Sequence, residues 1–176
     1  MPIVIQGTEN PVPIKYYEKK GSAQCKSSVM LAALNTKGKT IIKAKKSRDH
    51  SELLFKYLKL PIKVIKKDNY DIIEVFGLKK IKPLNYNIPS DVSSSSFFIV
   101  LTILSKKSKL VIKGVNLNPS RLGILKILKL MGINVIIKNF SKYKGETVGD
   151  LYIKNEKNIM PIKCPPKLNS SAIDEF

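Results

Sequence analysis

The hydrophobic register of this chain repeats. Leu110-Val-Ile-Lys stands 70 residues after Thr40-Ile-Ile-Lys, and Ile124-Leu125 and Ile133-Asn-Val-Ile stand 71 residues after Leu53-Leu54 and Ile62-Lys-Val-Ile. A period of about 20–50 residues signals a solenoid or propeller, whereas a unit of ~70 residues is a small α/β fold in its own right. Identity between the copies is low; the pattern of apolar positions is what recurs.

Each copy reads as helix, strand, helix, hairpin. In the first, Gln24 to Leu34 has Val29, Met30, Ala33 and Leu34 as its buried stripe. A strand over Thr40-Ile-Ile-Lys follows the turn at Gly38, and Asp49 with Glu52 has the form of a capping box opening a second helix. Leu60 to Lys66 and Tyr70 to Phe76 then alternate around Asp68-Asn69 as a hairpin. In the second copy Asp91 is the expected N-cap of a helix over the serine-rich run Ser93 to Ser96. A helix over Ser120 to Met131 is closed by Gly132, and Tyr143 to Gly149 leads into a return strand at Asp150-Leu-Tyr-Ile-Lys. The proline-bearing segment between Lys79 and Pro89 joins the copies, and the domains are expected at 1–88 and 89–176.

Composition narrows the function. The longest near-continuous apolar run, Phe97 to Leu104, is far below the ~20 residues that span a bilayer. The first residues lack a basic segment followed by an apolar one, so no signal peptide is read there. Two cysteines, Cys25 and Cys164, are too few for a disulfide scaffold or a metal cluster, and each is expected as a small buried hydrophobe. The reading that remains is a soluble cytoplasmic protein with no membrane contact. A net charge of +19 invites polyanions. Only Arg48 and Arg121 are arginine among 32 basic residues, however, and bidentate recognition of phosphate and bases favours arginine. Lysines spread along the chain beside abundant Ile and Asn read as a solvated surface under coding bias, and no nucleic-acid partner is expected.

Three segments carry chemistry. Gly21-Ser22-Ala23-Gln24 opens the first helix, where free backbone N–H groups and the positive end of the dipole attract an anion. Ser22 adds a hydroxyl, Gln24 an amide, and Lys20 and Lys26 raise the local potential. The same residues would equally serve as an ordinary cap. Ser47-Arg48-Asp49-His50 puts an arginine at a strand-to-helix turn, a place where a rigid scaffold holds functional side chains. The single histidine, His50, cannot make a metal site and is read as structural. Asp174 and Glu175 offer carboxylates for proton transfer, of which at most one can face a given point.

Taken with Ile14 to Leu34, Ile88-Pro-Ser-Asp-Val-Ser-Ser-Ser-Ser-Phe-Phe, Asn118-Pro-Ser-Arg and Ile173-Asp-Glu-Phe, these segments resemble the 5-enolpyruvylshikimate-3-phosphate synthases in order and spacing across nearly all 176 residues. The variant with Ser-Ala-Gln-x-Lys-Ser resembles a bacterial subgroup. The resemblance implies an α+β enolpyruvyl transferase fold, an α/β prism of repeated βαβαββ units in two domains, here incomplete. It implies transfer of the enolpyruvyl group of phosphoenolpyruvate to the 5-hydroxyl of shikimate-3-phosphate, with phosphate eliminated from a tetrahedral intermediate, no metal or organic cofactor, and a monomeric full-length enzyme. Ser22, Ala23 and Gln24 match the segment that holds shikimate-3-phosphate, with Gln24 also near phosphoenolpyruvate. Arg48 matches a further substrate contact, and Asp174 the carboxylate proposed to move protons.

The family's N-terminal substrate-gripping segment and its C-terminal Lys-Glu pair and arginines have no counterpart among these residues, so a fragment without turnover of its own is expected. Two other functions meet obstacles in the sequence. An enolpyruvyl transferase acting on UDP-N-acetylglucosamine would need a loop cysteine, which Cys25 at a helix start does not match. A non-catalytic basic nucleic-acid-binding module would need stacking aromatics on a sheet face, and Phe76, Tyr86 and Tyr152 form no such set.

Overall fold

Alternation decides the first sheet. Thr40, Ile42 and Ala44 of β2 (Lys39–Lys45) and Asp71, Ile73 and Val75 of β4 (Tyr70–Phe76) are buried, with Ile42 opposite Ile73 in an antiparallel pair. Residues two apart share a face of a strand, so this register puts both apolar sets on one side of the sheet. β3 (Ile62–Lys66) adds antiparallel to β4, and β1 (Lys15–Glu18) adds parallel to β2, giving the order β1-β2-β4-β3. The computed structural model describes residues 2–77, 81–172 and 175.

α1 (Ala23–Leu34) and α2 (His50–Tyr57) supply the other half of this core, through Met30, Ala33, Leu34 and Phe55. The first unit is thus β1-α1-β2-α2-β3-β4, a complete βαβαββ. β1 has no counterpart among the predicted elements. It is a four-residue strand with only Glu18 buried, so it lacks an apolar alternation of its own.

The second unit repeats the plan. α3 (Val92–Leu104), β5 (Lys109–Asn116), α4 (Gly123–Leu130), β6 (Ile136–Tyr143) and β7 (Glu146–Lys154) follow in order, with the sheet β5-β7-β6 matching β2-β4-β3. Val92, Ile99, Val115, Leu128 and Leu151 centre its core. In place of β1 it has one parallel bridge, Ser90 to Val115, with Ser90 N–H donating to Gly114 O at 2.9 Å and Asn116 N–H to Ser90 O at 2.9 Å. The chain divides into Met1–Pro83 and Leu84–Phe176.

Three local expectations change. The helix expected over Ser120 to Met131 is a 3₁₀ turn at Pro119–Arg121 followed by α4, because the Asn118 side chain takes the Ser120 N–H at 2.9 Å and tightens the entry. The second hairpin turns at Lys144-Gly145 (φ 46° and 92°), so its strands run further toward the turn than the alternation of Ile133 to Ile136 suggested. Two consecutive positive φ values suit a tight two-residue turn. Cys25 is exposed, because Lys26 takes the buried face at that level of α1; Cys164 is half-buried.

Candidate functional site

The start of α1 is built from its own chain first. Gly21 sits at φ +76°, where a side chain is strained, and a Cβ there would come within 3.1 Å of Lys46 O. This brings the β1–α1 loop against the end of β2. Ser22, extended at φ −82° and ψ 113°, caps the helix by accepting the Cys25 N–H at 3.2 Å. Ala23 is half-buried and Gln24 is exposed in the first turn. Just before them, the buried Glu18 carboxylate accepts the N–H groups of Lys20 at 2.8 Å and Gly21 at 2.7 Å. Burial pushes this carboxyl up, but the backbone donors of Lys20, Ser22 and Gly21 and the charge of Lys26 outweigh it and hold it below its ordinary value.

Lys26 departs from the role expected of it. It is 2% exposed and does not add its charge to an open cradle. Its ammonium lies 2.6 Å from Glu52 Oε1 and donates to the carbonyl of Arg48 at 2.8 Å. Ser27 Oγ and Ser51 Oγ meet at 2.6 Å beside this contact. The Ser22–Gln24 helix start and the Arg48 turn, 22 residues apart between Lys26 and Arg48, are therefore joined by side chains of α1.

The capping box dissolves in the process. Asp49 occupies the N-cap position of α2 without a side-chain cap bond and lies 3.6 Å from Lys66 Nζ, while Glu52 is spent on Lys26. An interior cation outcompetes a backbone amide for the Glu52 carboxylate, because its charge loses more on being left bare. Arg48 is half-buried at the turn between β2 and α2. Asp174 lies outside the described residues.

Motif reading passes over Glu18 and gives Lys26 and Glu52 other roles. A signal existed: Lys26, Met30 and Ala33 fall at i, i+4 and i+7, which puts a lysine on the apolar stripe and demands a buried partner. In the second unit Asp91 caps α3 by accepting the Ser94 N–H at 2.9 Å, and Arg121 reaches back to Asp91 Oδ1 at 2.6 Å and to Ser93 Oγ at 2.5 Å. Among the described residues no cluster of three or more His, Cys, Asp or Glu side chains is placed to hold a metal ion, and no helix is long and apolar enough to cross a membrane.

Comparison with known proteins places the chain in a family. Residues 1–164 match the family model described as EPSP synthase (3-phosphoshikimate 1-carboxyvinyltransferase). The 3-phosphoshikimate 1-carboxyvinyltransferase of Petrotoga mobilis is 44% identical over 99% of this chain and 40% of its own length. That of Caldicellulosiruptor bescii is 38% identical over 100% of this chain and 40% of its own. An EPSP synthase structure from Acinetobacter baumannii superposes with a TM-score of 0.83 at 32% identity, covering 98% of this chain and 38% of that one. The chain thus spans about 40% of the length of these curated relatives. A family model over most of the chain, relatives up to 44% identical along nearly its whole length and a matching solved structure agree, and this chain belongs to the EPSP synthase family.

Proposed function

We propose that this chain supplies part of the shikimate-3-phosphate site of an enzyme that transfers the enolpyruvyl group of phosphoenolpyruvate to the 5-hydroxyl of that substrate, in the cytoplasm and as a monomer. The observation that carries the reading is the junction just described. One helix start with a hydroxyl, a side-chain amide and first-turn N–H groups stands against a turn bearing one of the two arginines, in a family whose relatives are named for this substrate. Ser22, Ala23 and Gln24 bind the phosphorylated ring substrate, and Gln24 also approaches phosphoenolpyruvate. Arg48 contacts the substrate with a charge that lysine does not reproduce in planar, forked form. Asp174 moves protons as the 5-hydroxyl adds to the enolpyruvyl carbon and phosphate leaves the tetrahedral intermediate. Residues 1–88 and 89–176 belong to two domains of that enzyme. Neither the UDP-N-acetylglucosamine reading nor the nucleic-acid reading gains from the family match.

Calorimetric titration of the chain with shikimate-3-phosphate tests the site. Arg48→Ala is expected to weaken binding by about tenfold or more, the loss of a charge-assisted contact. Unchanged affinity removes Arg48 from the site. In a protein carrying the family's full length, Asp174→Asn is expected to slow turnover with little change in shikimate-3-phosphate affinity.

A further inference from the structure

We infer that Lys26 is a positioning residue: its buried ammonium, held by Glu52, fixes the Arg48 carbonyl and so the point from which the Arg48 side chain reaches a phosphorylated substrate. The identity of that substrate rests on the functional reading above; the positioning does not.

A lysine ammonium is strongly hydrated and almost never buried without a partner. Here both members are interior, Lys26 at 2% and Glu52 at 3% exposure, and Glu52 Oε2 has no hydrogen-bond partner among the described residues. Such a pair adds little net stability over apolar residues of the same volume, because removing two ions from water offsets their attraction. Its consequence is geometric. The ammonium has one contact to Glu52, at 2.6 Å, and one to the Arg48 carbonyl, at 2.8 Å. Because the peptide unit is planar, fixing that carbonyl fixes the plane that links Arg48 to Asp49.

The second unit shows that the fold does not require this lysine. Aligning the N-caps Ser22 and Asp91 puts Ser95 where Lys26 stands. Ser95 is also buried, but its hydroxyl returns to its own helix, donating to Asp91 O at 2.7 Å. The same order of helix, strand, helix and hairpin forms there without an ammonium inside. The buried lysine occurs in the unit whose helix starts carry Ser22–Gln24 and Arg48.

The test uses the 176-residue chain with the paired substitution Lys26→Met/Glu52→Leu, which removes both charges together and strands neither. Hydrogen exchange in peptides covering residues 46–52 and calorimetry with shikimate-3-phosphate are measured, each with and without Arg48→Ala. The expected result is cooperative unfolding as before, about tenfold faster exchange in 46–52, and about tenfold weaker binding that vanishes as an effect once Arg48 is alanine. A folded paired variant with unchanged exchange overturns the inference. So does a loss of affinity that persists in full beside Arg48→Ala. If the paired variant does not fold, Lys26→Arg keeps the charge pair while changing the reach to the Arg48 carbonyl, and is read the same two ways. If the unsubstituted chain does not bind shikimate-3-phosphate, the functional reading falls, and the exchange measurement alone decides the positioning role.

Discussion

Glu18 shows how a residue with no motif of its own becomes part of a site. Its carboxylate fills the N–H groups of Lys20 and Gly21 and so shapes the loop that presents Ser22. Its folded-state pKa lies below the ordinary 4.5, so the unfolded chain binds this proton more tightly. The stability it contributes is present above about pH 4.5 and is lost as pH falls through the lower folded value. Glu18→Gln is therefore expected to destabilise the first unit by about 1–3 kcal/mol at neutral pH and to flatten the loss of stability below pH 4.5, read by urea unfolding across pH 3–7. Ser22 and Asp91 were legible as caps because a cap is a local contact, three residues long. Glu52 was misread because its partner Lys26 is remote in sequence, and no local rule weighs a buried cation against an amide.

At the level of elements, the two short helices end alike. After α2, Lys59 (φ 53°) donates its N–H to Lys56 O at 3.0 Å and Leu60 donates to Phe55 O at 2.9 Å. After α4, Gly132 (φ 84°) donates to Lys129 O at 3.1 Å and Ile133 to Leu128 O at 2.9 Å. Both ends are Schellman motifs, each with its apolar pair buried: Leu60 with Phe55, Ile133 with Leu128. Glycine marks the second stop in the sequence, whereas lysine at the same left-handed position conceals the first. Gly132→Ala is expected to cost about 1 kcal/mol or more, measured by chemical denaturation. Asp91→Ala, which removes the acceptor for Ser94 N–H, is expected to cost about 1 kcal/mol of second-unit stability. β1 stayed hidden for the reason its position suggests: it becomes a strand by pairing with β2.

At the level of the whole chain, about 40% of the length of the curated relatives is present. Purified 1–176 is expected to release no phosphate from phosphoenolpyruvate in the presence of shikimate-3-phosphate; sustained release would overturn that. The row Phe97, Leu101 and Leu104 on α3 is exposed at 75%, 62% and 68%, a face that no packing among the described residues of the second unit covers. The net charge of +19 finds a structural use in part, with lysines over tyrosine rings such as Lys43 over Tyr70 at 4.4 Å.

By itself the sequence determined the plan: two copies of one unit, the strands and helices with strong period, the two serine and aspartate caps, and the motifs that mark the family. These are local or periodic signals, and apolar periodicity fixes which face of an element turns inward whatever it later meets. Tertiary structure decided the rest. It made β1 a strand, turned Lys26 inward to Glu52, and set Arg48 beside the start of α1, because a buried charge and a short strand are each defined by a partner elsewhere in the chain.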